Sequence, residues 1–353
     1  MLAVTCWVDP GEQGEPVTAT VSFSGRRLDV TGKPRPGDSF TREETIEGVL
    51  PGSGPVAVTA EVRGINPGDW RVTARPVSRP GQRLLRPYPV PGGQADGDLR
   101  VPPPRRVAIP AEQGGTLHTS HLLRTKVPGI SRYVYPTLVP LSVLVGLGVE
   151  AALLITGHYP ALRMMLFSLA AVAAGVLGGK GWYIAVHRGR KRDGWCIQGF
   201  VAGAAAVVVV AAVAGVGVPA GVVLAVAGPA LLIGMGIGRP ACFWAGCCTG
   251  RPTTSRWGIW SSDRRMGCRR APAQLAEALT ALLIGLGLLA YVLIAGLPQS
   301  GPVAAAGLAA YTLVRQFILG MRGEPRVWRH GRTVTAVIAA AALVVSVALL
   351  VRG

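Results

Sequence analysis

Two different solvents have shaped the hydrophobic pattern of this chain. In the first 78 residues apolar and polar positions alternate in short runs. Val17, Ala19, Val21 and Phe23 form one run, Val56, Val58, Ala60 and Val62 another, and Trp70, Val72 and Ala74 a third. Period-two alternation places every second side chain on one face, which suits half-buried strands. The spacing of the runs predicts a small antiparallel β-sandwich of immunoglobulin or fibronectin type III style. Residues 79–132, rich in proline, arginine and glycine, bury too little apolar surface to fold alone and read as a linker. From about residue 134 the runs lengthen into seven apolar spans, at 134–156, 161–186, 196–216, 219–238, 273–296, 302–321 and 333–351. Each is near the ~20 residues a helix needs to cross hydrocarbon. Alanine and glycine dominate them, and small residues let membrane helices approach closely. The predicted fold is a polytopic α-helical membrane protein of about seven transmembrane helices carrying an N-terminal all-β domain. Its parts are a β-sandwich at 1–78, the linker at 79–132 and a membrane domain at 133–353.

Charge sharpens this picture. The net charge is +18, from 36 basic and 18 acidic residues. Residues 1–132 hold 17 basic and 13 acidic side chains, which leaves 19 and 5 for the remainder. The excess therefore belongs to the membrane half, where it meets anionic headgroups. A nucleic-acid partner would call for a basic soluble domain, and the first domain is only mildly basic. The turns at 156–163, 215–221 and 295–302 are short and nearly uncharged, while those at 187–194, 239–272 and 322–332 are strongly basic. The positive-inside rule places the basic side, and the N-terminal domain with it, in the cytoplasm. Lys180, Arg188, Arg190, Lys191 and Arg192 read as a solvated or headgroup-facing run. The first residues lack the basic start and apolar core of a signal peptide, so no cleavable export signal is expected.

Candidate chemistry concentrates in GRPACFWAGCCTGR at 238–251. Arginine at a helix centre in a bilayer costs about 2.5–3.5 kcal/mol. Arg239 and Arg251 therefore point to an anion, and the abundant anion in a bilayer is a lipid phosphate. The alternative is an arginine that snorkels as an interface anchor. Tyr311 and Arg315 are four residues apart and share a helix face, as do Gln274 and Glu277 at a spacing of three. Glu277 reads equally as a catalytic carboxylate or as a buried partner for Arg315. Cys242, Cys247, Cys248 and Cys268 fall in one region, but C-x4-C-C matches no common zinc spacing. They read as small residues packing a helix end, with no metal assigned.

The run 238–251, together with RRAPAQLAEAL at 269–279 and YTLVRQFILGMRGEPR at 311–326, resembles the prolipoprotein diacylglyceryl transferase family. That resemblance covers roughly residues 134–351. It implies a seven-helix enzyme of the bacterial plasma membrane that moves diacylglyceryl from phosphatidylglycerol to a lipoprotein cysteine thiol and releases glycerol phosphate. It implies no cofactor, and its partners are phosphatidylglycerol or another anionic phospholipid and a prolipoprotein. The partner of the β domain stays unknown. Arg239 matches the family's Gly-Arg motif, Gly250 and Arg251 a later Gly-Arg, and Cys242 a position where many members carry asparagine. Gln274 and Glu277 match a His-Pro-x-Gln-Leu-x-Glu pattern, and Tyr311 with Arg315 a Tyr-x3-Arg pair. GGKGWY at 178–183 resembles a glycine-rich helix end that brings in Tyr183. On this basis Arg239, Arg315, Tyr311, Gln198 and Glu277 are the expected catalytic group, and Gly250, Arg251, Cys242, Gln274 and Tyr183 the expected substrate-binding group.

Four positions depart from the family pattern. Gln198 stands where typical members carry a catalytic histidine, and glutamine is no base near neutral pH. Cys247 replaces an acidic residue, Ala271 the histidine of His-Pro, and Leu319 a glutamate. The family's reactive face lies outside the cytoplasm, whereas the loop charges put it inside. Two other readings therefore accompany the first: a glycerolipid or headgroup transferase with another acceptor, and a catalytically degenerate lipid-binding scaffold.

Overall fold

A computed structural model describes residues 2–66, 68, 70–77, 86–87, 115–117, 127–186, 196–213, 218–297, 300–323 and 330–352. The chain forms two compact units. One holds residues 1–137, 239–276 and 318–327, and the other 138–238, 277–317 and 328–353. The basic stretches 187–195 and 324–329 and most of the expected linker lie outside the described residues.

The first unit is built on two antiparallel sheets. Strands β1 (Leu2–Asp9), β2 (Val17–Arg27), β3 (Ser39–Val49), β4 (Val56–Val62) and β5 (Trp70–Val77) come from the alternating region. Two short pieces, β6 (Arg86–Pro87) and β7 (Gly115–Leu117), add to sheet edges. A hairpin of β8 (Ile259–Ser262) and β9 (Met266–Arg270) comes from the basic segment between membrane spans. The sheets run β6-β1-β4-β9-β8 and β3-β2-β5-β7. Alternation works as expected in β5, where Trp70, Val72 and Ala74 are buried, and in β2, where Val21 and Phe23 are. These side chains join Leu2, Val4, Cys6, Val56, Val58, Met266 and Cys268 in one core fed by both sheets, which makes the unit a sandwich. At about 1.5–3 kcal/mol for each large buried side chain, that core is its main source of stability.

Strands β1 and β4 are buried on both faces, which alternation alone does not predict. The hairpin explains it in part: Trp260 of β8 stacks on Trp7 at 5.7 Å, and β9 pairs with β4 through Ala57–Gly267 and Val58–Met266. Arg265 fastens the hairpin turn to β3, donating to the Thr45 carbonyl at 2.9 Å and pairing with Glu44 at 3.2 Å. The segment that reads as a basic loop is thus the end of the sandwich's own sheet.

Among the described residues seven helices follow the apolar spans: α1 (Val134–Thr156), α2 (Ala161–Val186), α3 (Ile197–Val213), α4 (Ala220–Ala245), α5 (Ala273–Ala295), α6 (Gly301–Ile318) and α7 (Gly331–Arg352). Among the described residues six are long and apolar enough to cross a membrane; α3, at 17 residues, is shorter. A 3-10 turn, Leu319–Met321, finishes α6. Helix α4 continues beyond its expected end, through Arg239 and Pro240 to Ala245. Proline lacks one N–H, a loss that membrane helices tolerate where neighbouring groups satisfy the freed carbonyl.

In the second unit, α2 and α3 meet through small residues. A Cβ at Gly178 would collide with the Gly199 carbonyl, and one at Gly203 with that of Ala174. Only glycine permits this approach. A second contact buries a carboxyl: Ser168 of α2 donates to Glu150 of α1 at 2.7 Å.

Candidate functional site

The end of α4 is held by its backbone. Gly246, at φ +68°, takes the left-handed conformation that a helix-terminating glycine favours. Its N–H donates to Phe243 O and that of Cys247 to Cys242 O, the two crossed bonds of a Schellman motif. The Arg264 Nε donates to the Ala245 carbonyl at 3.0 Å, placing a cation where the helix dipole is negative. Arg239, nearly two turns before the end, reaches the Cys242 sulfur. Cys247 donates its thiol to the Cys242 carbonyl. Hydrogen bonding with Cys242, then with Cys248, pushes the Cys247 thiol above its ordinary range.

The next residues form a narrow ladder. Arg251 N–H donates to Met321 O at 2.8 Å, Ala271 N–H to Arg251 O at 2.9 Å, and Gly323 N–H to Thr249 O at 3.2 Å. Gly250 lies in the middle, and a Cβ there would overlap the Ala271 carbonyl. The glycine is therefore required by chain packing against chain. Its carbonyl accepts from Arg270 Nη1 at 3.1 Å. Buried Arg270 also pairs with Asp263 at 2.7 Å, so one guanidinium ties the β8–β9 turn to the ladder. Arg251 is exposed and its Nε donates to the Arg322 carbonyl at 3.0 Å. Gln274 is buried at the start of α5, donating to the Cys247 carbonyl at 3.0 Å. The first unit thus gathers Arg239, Cys242, Gly250, Arg251 and Gln274 along one continuous stretch of contacts.

The second unit brings together Glu277, Tyr311 and Arg315. Arg315 Nε donates to Glu277 Oε1 at 2.6 Å, and the Tyr311 hydroxyl reaches the same oxygen at 3.4 Å. The predicted sharing of a helix face is therefore realised: Tyr311 and Arg315, four apart on α6, meet one carboxylate from α5. Glu277 is fully buried, whereas the Arg315 side chain keeps 24% of its surface exposed. The arginine is thus anchored at one end and reachable at the other. Of the two readings of Glu277, partner of Arg315 is the one the geometry contains.

Gln198 lies on α3, its side chain outside the described residues, and Tyr183 is half-buried on α2. Two features escape the sequence reading. Glu150 is a buried acid inside a membrane helix, signalled by being the one carboxylate in an apolar run. Cys268 sits in the sandwich core, where burial raises its thiol to about 11, away from the three cysteines that end α4.

A search of the curated proteins finds no match. The model of one family, described as prolipoprotein diacylglyceryl transferase, matches residues 125–352. That match spans the helices, the Gly-Arg motif at the end of α4 and the Tyr311–Arg315 pair, and the chain belongs to the prolipoprotein diacylglyceryl transferase family.

Proposed function

We propose that this protein transfers the diacylglyceryl group of phosphatidylglycerol to the thiol of a lipoprotein cysteine, in the plasma membrane of a bacterium. In that reaction the sulfur electron pair forms a bond to the glyceryl carbon. The carbon–oxygen bond to phosphate breaks, and glycerol phosphate leaves with the electron pair. The chemistry calls for cations that hold the phosphate as negative charge builds on it. Arg315 takes that role, since a guanidinium binds phosphate through paired donors. The observation that carries the reading is the Glu277–Arg315–Tyr311 cluster, in which a buried carboxylate fixes an arginine that stays accessible.

Thiol activation is the weaker half. With glutamine at position 198, the acceptor relies on its own ionisation, and a thiol of pKa ~8.5 is about 3% thiolate at pH 7. Slow transfer follows. A degenerate lipid-binding scaffold, its β domain recruiting a partner, is the reading that Gln198 favours if turnover is absent. The test is lipid labelling of a lipobox peptide by the purified chain in phosphatidylglycerol vesicles, with Gln198→His run beside it. The expected result is slow labelling that histidine accelerates. Lipid binding without labelling in both chains would leave the scaffold. A reporter fused at residue 1 fixes sidedness, and a cytoplasmic signal would argue against a periplasmic lipoprotein as acceptor.

A further inference from the structure

Three thiols meet where α4 ends. Among the described residues the Sγ atoms of Cys242, Cys247 and Cys248 lie within 4.8 Å of one another. The backbone explains the meeting. In a Schellman motif the side chains of the third residue from the helix end and the second residue beyond it are brought into contact, normally as an apolar pair. Here those two residues are Cys242 and Cys247. Cys248 then takes φ +56°, a left-handed conformation uncommon for a side chain larger than hydrogen, and its sulfur joins the other two. Four intervening residues separate the first two cysteines because that is the span of the motif, which is why the spacing matches no familiar zinc pattern.

We propose that Cys242, Cys247 and Cys248 form a three-thiolate site for a thiophilic d10 cation, Zn2+ or Cu+. Soft sulfur ligands select these ions over harder ones. A tetrahedral zinc with bonds of about 2.3 Å sets its sulfurs about 3.8 Å apart. No pair here has more than an ångström to close, a side-chain adjustment that leaves the helix end in place. Cys247 is exposed and Cys248 half-buried, so an ion has a way in. Three thiolates around Zn2+ carry one net negative charge. The Arg239 guanidinium, already at the Cys242 sulfur, offsets it, and Tyr135 stands within electrostatic reach of all three sulfurs.

The ligand count is informative as well. Structural zinc sites close with four protein ligands, whereas sites with three keep a position for a fourth group. Among the described residues no further cysteine, histidine or carboxylate joins the cluster. The fourth position suits an external sulfur ligand. If the transferase reading holds, on which this last clause alone rests, that ligand belongs to the chemical class of the acceptor.

The experiment uses the full chain purified in detergent under reducing conditions. Metal content is measured per chain, and the stripped protein is titrated separately with Zn2+ and Cu+. One bound equivalent is expected, with an X-ray absorption shell of at least three sulfurs, and the tighter ion identifies the occupant. Cys242→Ser, Cys247→Ser and Cys248→Ser should each weaken binding by about tenfold or more, while Cys196→Ser leaves it unchanged. In the Co2+-substituted chain, a cysteine peptide should perturb the visible spectrum. A shell dominated by nitrogen or oxygen overturns the proposal on the unaltered chain, even where a variant fails to fold. So does reduced protein that binds neither ion, or binding indifferent to all three substitutions. None of these readouts requires lipid turnover. Metal without transfer would sink the transferase reading alone, and transfer without metal this one alone.

Discussion

Removing the carboxylate of Glu277 tests how Arg315 is held. In Glu277→Ala the guanidinium loses its 2.6 Å charged hydrogen bond, and Tyr311 loses its acceptor at 3.4 Å. Breaking a buried pair by deleting one partner costs about 3–5 kcal/mol. The 24% exposure of Arg315 gives it some access to water, so the lower end of that range applies. Arg315→Ala leaves the buried carboxylate with the Tyr311 hydroxyl as a donor, a smaller cost of about 1–3 kcal/mol. Removing both side chains also removes their desolvation, so the double variant should fall short of the sum by ~2–3 kcal/mol. The assay is loss of helicity in a sodium dodecyl sulfate titration, which follows the membrane helices. Transfer rate measured in parallel should drop about a hundredfold in Glu277→Ala, because a misplaced arginine no longer meets the phosphate in a productive geometry. Additive destabilisation, to within about 0.5 kcal/mol, would refute the claim that the two side chains act as a unit.

Other consequences follow from the first unit. Gly250→Ala should cost about 1–3 kcal/mol by overpacking against the Ala271 carbonyl, read as a lowered melting temperature. Arg270→Met should loosen the β8–β9 turn, by about 1–3 kcal/mol for the charged bonds to Asp263 and Gly250, and should expose the amides of residues 250–251 to hydrogen exchange. Burial pushes the Cys6 thiol from its ordinary value of 9.0 up to about 12. Its neutral form is favoured in the folded state, so this contribution is complete below pH 9 and is lost as pH rises towards 12. Thermal melts between those values should decline more gently in Cys6→Ala than in the unaltered chain.

Much of the membrane half is legible because hydrocarbon imposes one rule, a long apolar run, and α1 and α2 begin and end where their runs do. The strands β2 and β5 are equally plain, since one face packs and the other is wet. The β8–β9 hairpin is hidden because Arg264, Arg265, Arg269 and Arg270 mask its alternation. Arg264 at the α4 terminus, Arg265 at the Thr45 carbonyl and Arg270 at Asp263 each have a local use that composition reads only as a basic loop. The pairing of Tyr311 with Arg315 follows from helix geometry, yet their shared carboxylate needs a second helix to be in register. Gly250 is visible as part of a Gly-Arg motif, but only the position of the Ala271 carbonyl says why glycine is needed there. The cysteine spacing is readable once Gly246 is recognised as a helix terminator, and opaque before that.

The most direct measurement follows both halves of one lipid. Phosphatidylglycerol labelled in its acyl chains and, with a second label, in its headgroup glycerol is incubated with the chain and a cysteine peptide. Acyl label should appear on the peptide as a thioether, matched one for one by headgroup label in free glycerol phosphate, and both products should vanish in Arg315→Ala. Headgroup label on the peptide, or lipid bound with neither product formed, would contradict diacylglyceryl transfer.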